Sequence, residues 1–270
     1  MKICFIGGGN MATALIGGLL AQGFKASDLS VVEINADNRA RLTAEFGMRS
    51  CADLADGITG CDTIVLAVKP QQLQEVALLL APLLTGQLLI SIAAGIRASD
   101  LARWANSTAI VRAMPNTPAL IQAGMTGLFA LNNVSPAQHS QAEQILAAVG
   151  KTLWLQDETM LDAVTAISGS GPAYVFYLIE AMQAAALELG FNPADARLLS
   201  QETFLGAAKL AIASDDEVAI LRQRVTSKNG TTERALLSLE ANHVKQHIIT
   251  AAHAAAARSR EMGDELGAAT

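Results

Sequence analysis

The stretch KICFIGGGNMATALIGGLL, residues 2–20, constrains the fold more than any other. A short apolar run ends in three glycines and passes at once into a helical pattern. Gly7, Gly9 and Ala12 satisfy G-x-G-x-x-[GA] at a strand-to-helix turn, where the physics of the motif needs them. Gly7 permits the tight turn, and Gly9 lets backbone approach an anion. Ala12 keeps the helix close to the sheet, and the helix N-terminus faces a pyrophosphate. Gly7, Gly9, Asn10, Met11 and Ala12 are therefore candidate cofactor-binding residues.

Further short apolar runs follow at 29–34, 63–68, 88–93, 109–114, 127–131 and 152–155, with helical stretches such as 11–22 and 71–80 between the early ones. Strands alternating with helices predict βαβ units and a doubly wound parallel sheet. Past residue 157 the strand signals stop and only helical patterns remain. The expectation is an α/β class: a Rossmann-like domain over 1–157 followed by an all-α domain over 158–270.

Composition narrows the function classes. The 270 residues are 51% hydrophobic and 16% charged, with net charge −6. No basic block is present, so nucleic acid is not expected as a partner. The longest apolar stretch, EVALLLAPLLTGQLLISIAAG, is broken by Pro82 and by Thr85-Gly86, so no membrane span is expected. So many apolar residues with so few charges suggest surface buried between subunits. Cys4, Cys51 and Cys61 form no CxxC or disulfide-like pattern, and MKICFIGGG runs straight into a strand, so a cytoplasmic chain without a signal peptide is expected. His243 and His247 share a helical spacing, but no HExxH, carboxylate or cysteine completes a metal site. No metal is expected.

Ligands of such sheets lie beyond the carboxyl ends of the strands. That rule places Val68, Lys69, Pro70, Ala93 and Ala94 beside the nicotinamide half of a cofactor. Asn116 and Thr117, between two prolines, occupy another strand end. The choice between NAD and NADP falls at the end of the second strand. Glu33 there would accept bonds from a ribose and favour NAD. A register one residue later puts Ile34 in its place and leaves Asn35 and Arg39 for a 2′-phosphate. Both alternatives stand.

In the helical half, AISGSGPAYVFYLIEAM and VTSKNGTTERALLSLE join GGGNMATALIGG, AVKPQ, SIAAG and MPNTP in this order. Together they resemble the pyrroline-5-carboxylate reductase family over essentially the full chain. The resemblance implies reduction of 1-pyrroline-5-carboxylate to L-proline with NADPH, or NADH, as cofactor. It also implies a C-terminal helical domain that interlocks two subunits into a homodimer able to assemble further. Each active site would then join one chain's cofactor domain to helices from both. By position, Ser227 and the backbone at Gly230 and Thr231 would hold the substrate carboxylate, and Thr232 the imine nitrogen as the catalytic residue. Glu158 would lie near the substrate amine. Where the family usually reads Pro-Gly-Gly, this chain has Lys228-Asn229-Gly230.

Two rivals share parts of this pattern. A β-hydroxyacid dehydrogenase or imine reductase would have the same two-domain plan, but Lys209 lacks the following Asn expected of a hydroxyacid enzyme's proton donor. A non-enzymatic NADP sensor would not need the hydroxyl-rich loop at 225–232, whose plainer reading is surplus helix capping.

Overall fold

The computed structural model describes residues Met1–Ala268. Its chain packs as two compact units, one of residues 1–170 with 254 onward and one of Gly171–His253.

The first unit is built on an eight-stranded sheet ordered β3-β2-β1-β4-β5-β6-β7-β8. The strands are β1 Ile3–Ile6, β2 Leu29–Val32, β3 Arg49–Cys51, β4 Thr63–Leu66, β5 Leu88–Ser91, β6 Ile110–Met114, β7 Gly124–Ala130 and β8 Gly150–Trp154. From β3 across to β6 all neighbours pair in parallel, and β7 runs antiparallel to β6. β1, β2, β4 and β5 are buried along their whole length, because helices cover both faces of a parallel sheet. Alternation along β1 divides the core. Ile3 and Phe5 pack with Leu15, Ile16 and Leu19 of helix α1 (Asn10–Ala21) on one face. Cys4 and Ile6 face Leu73 of α4 (Pro70–Leu80) and Leu101 of α5 (Ala98–Ala105) on the other.

Seven of the eight strands lie where the apolar runs predicted them. The one not predicted, β3, is the three-residue segment RSC at the sheet edge, too short and polar to leave an apolar signature. The remaining α-helices of this unit are α2 (Ala36–Phe46), α3 (Leu54–Ile58), α6 (Pro136–Ala147) and α7 (Met160–Val164), and short 3-10 turns lie at Ala26–Asp28, Ala81–Leu83 and Thr117–Ile121. A π-helical turn over Thr165–Gly169 follows α7.

The second unit contains α8 (Gly171–Glu188), α9 (Pro193–Ala213), α10 (Val218–Arg224) and α11 (Thr231–Ala241). Helix α12 (Val244–Ala268) begins in it and ends in the first unit. Pro193 starts α9 behind an Asn192 cap, as the fixed φ of proline favours. Large apolar side chains of this unit stand open in the single chain: Phe176 is 65% exposed, Tyr177 71% and Ile212 86%. Such surface is far more apolar than a solvated face requires.

Candidate active site

Because β1, β4, β5 and β6 are mutually parallel, the turns that follow them share one edge of the sheet. Chain order reverses at β1, which has β2 on one side and β4 on the other. A crevice at such a switch point is where open α/β sheets bind ligands.

The glycine turn is shaped for close backbone approach. Gly7 has φ +97°, and a Cβ there would lie 2.8 Å from the Ala67 carbonyl oxygen. A Cβ on Gly9 would meet nothing within 4 Å, so this side of the turn is open. Gly9 caps α1 with no side-chain hydrogen bond, leaving the first-turn amides of Asn10, Met11 and Ala12 for an anion. The turn therefore fits the pyrophosphate of a dinucleotide.

At the neighbouring rim, Glu33 directly follows β2. Its Oε2 accepts from Gly8 N at 3.1 Å and Asn38 Nδ2 at 2.9 Å, and its Oε1 from Asn35 N at 2.9 Å. Burial pushes its carboxyl up, but these hydrogen bonds outweigh burial and hold it below the usual range. Asn35 caps α2 through its side chain, accepting from Asn38 N at 2.9 Å. Arg39 Nη1 donates to the carbonyls of Glu33 at 2.7 Å and Ile34 at 2.9 Å. Acid and guanidinium thus share one rim, and Ile34 projects from it 80% exposed.

The other edge turns follow the same logic. Lys69 is the exposed N-cap of α4, with Pro70 at its first position and Val68 half-buried before it. Ala93 is buried and Ala94 half-buried in the loop after β5. Asn116 follows β6. Its Oδ1 accepts from Met125 N at 2.9 Å, and its Nδ2 donates to the Ser168 carbonyl at 3.0 Å. The Asn116 amide thereby ties the MPNTP loop to the π-helical turn of AISGSG, a deviation that often accompanies functional sites.

Glu158, just before α7, directs Oε1 to Arg112 Nη1 at 2.9 Å and to Ala98 N at 2.7 Å. Sequence reasoning passed over both partners. A charged residue inside the apolar strand AIVRAM was the signal that could have found Arg112.

The substrate-loop candidates lie in the second unit. The capping reading of the loop does not hold, because Gly230 caps α11 with no side-chain bond. Thr226 Oγ1 instead donates back to the Arg222 carbonyl at 2.6 Å. Asn229 adopts φ +61°, and its N–H donates to Glu233 Oε2 at 2.7 Å. Gly230 N donates to Ser227 O at 3.1 Å, and a Cβ on Gly230 would lie 2.4 Å from Ser227 Oγ. Ser227, Gly230, Thr231 and Thr232 thus surround a helix start without a side-chain cap bond, with Ser227 and Thr231 exposed. That geometry suits a carboxylate.

Among the described residues no group of histidine, cysteine or acidic side chains could hold a metal, and no helix is long and apolar enough to cross a membrane.

Residues 158–262 match a family model described as pyrroline-5-carboxylate reductase dimerisation, and residues 2–95 one described as NADP oxidoreductase coenzyme F420-dependent. The chain is 47% identical to the pyrroline-5-carboxylate reductase of Pseudomonas aeruginosa over 268 residues, 98% of each chain.

The chain belongs to the pyrroline-5-carboxylate reductase family.

Its relative in Haemophilus influenzae is 44% identical, with 96% of this chain and 97% of that one covered. The solved pyrroline-5-carboxylate reductase of Coxiella burnetii superposes with TM-score 0.92 at 40% identity, covering 97% of this chain and 98% of that one. The pyrroline carboxylate reductase of Plasmodium falciparum, solved with NADP bound, gives 0.87 at 30% identity over the same shares. A reductive aminase from Aspergillus terreus, 20% identical with TM-score 0.61, shares the fold alone. Family membership thus lies with the pyrroline-5-carboxylate reductases and not with the two-domain rivals of the sequence reading.

Proposed function

We propose that this protein reduces 1-pyrroline-5-carboxylate to L-proline with NADPH, and with NADH as the alternative donor. The observation that carries the reading is similarity along nearly the whole chain to pyrroline-5-carboxylate reductases, at up to 47% identity. It is supported by a glycine-capped helix start in each unit, without a side-chain cap bond, the second beside a hydroxyl-rich loop.

Gly7, Gly9, Asn10, Met11 and Ala12 hold the cofactor pyrophosphate. Asn35 and Arg39 border its adenosine end; Val68, Lys69, Pro70, Ala93, Ala94 and Asn116 border its nicotinamide end. The bound nicotinamide supplies a hydride for the carbon of the C=N bond. This chain's own work is to bind, align and manage one proton. Ser227 and the backbone of Gly230 and Thr231 hold the carboxylate. The Thr232 hydroxyl hydrogen-bonds the ring nitrogen and orients it, while water or the substrate carries the proton that completes the amine. An iminium carbon is already electrophilic, so no strong base is required of the protein.

The open apolar faces of α8 and α9 suit a homodimer in which each site draws helices from both subunits, with further assembly of dimers. A cytoplasmic enzyme follows from the same reading. The experiment is oxidation of NADPH, then NADH, followed by nicotinamide absorbance with 1-pyrroline-5-carboxylate, and proline identified as product. Tight cofactor binding without turnover would refute the reductase reading and favour a sensor.

A further inference from the structure

Arg112 lies within β6 and is 7% exposed, an unfavourable place for an unpaired cation. Its partner is a single carboxylate oxygen. Glu158 Oε1 accepts from Arg112 Nη1 at 2.9 Å and also from Ala98 N at 2.7 Å. Ala98 is the first residue of α5, so this bond fixes the point where the loop after β5 ends. That loop contains Ala93 and Ala94, and it turns at Gly95 with φ +74°. One oxygen therefore neutralises β6 and anchors the loop from β5.

A second set of contacts reaches this loop and the helices beside it, α5 and α7, from the far end of α12. A Cβ on Gly95 would lie 3.1 Å from Met262 Cβ and 3.2 Å from Leu266 Cδ1. Arg97, the residue before Ala98, pairs with Asp264. Arg103 donates to the Gly267 carbonyl at 3.1 Å, and Ser259 donates to Asp162 Oδ1 at 2.6 Å. A cleft of about 180 Å³ lined by Arg112, Glu158, Asp162 and Ser259 lies among these contacts. The loop has little regular structure of its own, so its shape depends on these supports.

We infer that Glu158, backed by residues 259–267 of α12, is a positioning residue for the nicotinamide end of the cofactor. This rests on the reductase reading. Glu158 sets the backbone of Ala93 and Ala94, whereas the adenosine end meets the glycine turn and the rim beyond β2. In the sheet, β1 and β4 separate that rim from β5. Loss of the anchor should thus loosen one end of the cofactor and leave the other.

The test is calorimetric titration of the purified full-length protein with NADPH and with adenosine 2′,5′-bisphosphate, which carries the adenosine end alone. Glu158→Gln keeps an acceptor but removes the charge opposite Arg112. It is expected to weaken NADPH about tenfold while the bisphosphate changes by less than about twofold. Glu158→Asp keeps the charge, stops short of Ala98 N, and serves if the glutamine variant does not fold; the same selective loss is expected. Parallel weakening of both ligands, or no change in either, would overturn the inference. Wild-type protein that bound neither ligand would instead overturn the reductase reading, an outcome visible before any substitution is made.

Discussion

Gly230 is the position at which the proposed substrate loop can be perturbed with least damage elsewhere. Its φ of −84° is ordinary for any residue, so alanine brings no backbone strain. It does bring a collision. The new Cβ would sit 2.4 Å from Ser227 Oγ and 3.0 Å from Ser227 O, where real contacts are essentially never under 3.0 Å. The hydroxyl must therefore move by at least 0.6 Å, the difference between 3.0 and 2.4 Å, or rotate away. Either response takes Ser227 from the carboxylate it is proposed to hold. A hydrogen bond to a charged group contributes about 1.5–3 kcal/mol, so Gly230→Ala should lower kcat/KM for the imine roughly ten- to hundredfold. The affinity for NADPH and the thermal midpoint should stay near wild type, because the loop is exposed. The decisive assay is a double-mutant cycle with Ser227→Ala. If alanine at 230 acts through the hydroxyl, it should do little in the background that lacks it. A full, additive loss in the double variant would refute this reasoning.

Other outcomes follow from the same geometry. Gly7→Ala forces an L-residue to φ +97° and a Cβ to 2.8 Å from Ala67 O; backbone strain of about 1–3 kcal/mol should weaken NADPH binding roughly five- to 150-fold by titration, and wild-type affinity would contradict the turn's role. Thr232→Ala should lower kcat/KM by the equivalent of about 0.5–1.5 kcal/mol, whereas an unchanged value in a folded variant would remove Thr232 from the reaction. Glu33 has a folded pKa below its ordinary 4.5, so its stabilisation is complete above that pH and is lost as pH falls through the folded value. Urea unfolding of Glu33→Gln should accordingly show a shallower loss of stability with acid than wild type, and equal slopes would count against the bonds to Gly8, Asn35 and Asn38.

What could be read from the chain alone was what is local. The parallel strands are doubly covered and so appear as unbroken apolar runs, and the glycine turn announces itself by spacing. The loop at 225–232 was visible as a surplus of hydroxyls, although its substrate role came from family resemblance. Glu158 was placed near the substrate on the same ground, and nothing in its own neighbourhood pointed to Arg112, 46 residues away, or Ala98, 60 away. Pairings between distant segments leave no periodic trace. The return of α12 to the first unit was equally hidden, since a helix of 25 residues looks the same wherever its end packs.

That return sets an order of events during synthesis. Residues 2–20 can form the glycine turn and its helix early, with strands that follow soon after. Asp264 comes 167 positions after Arg97, so the loop after β5 waits through all of the helical unit before its last support is translated. On the proposed reading, the adenosine end of the site is complete at the ribosome long before the nicotinamide end. A chain clipped ahead of residue 259 would keep a shelf for the nucleotide and lack the fittings that aim it.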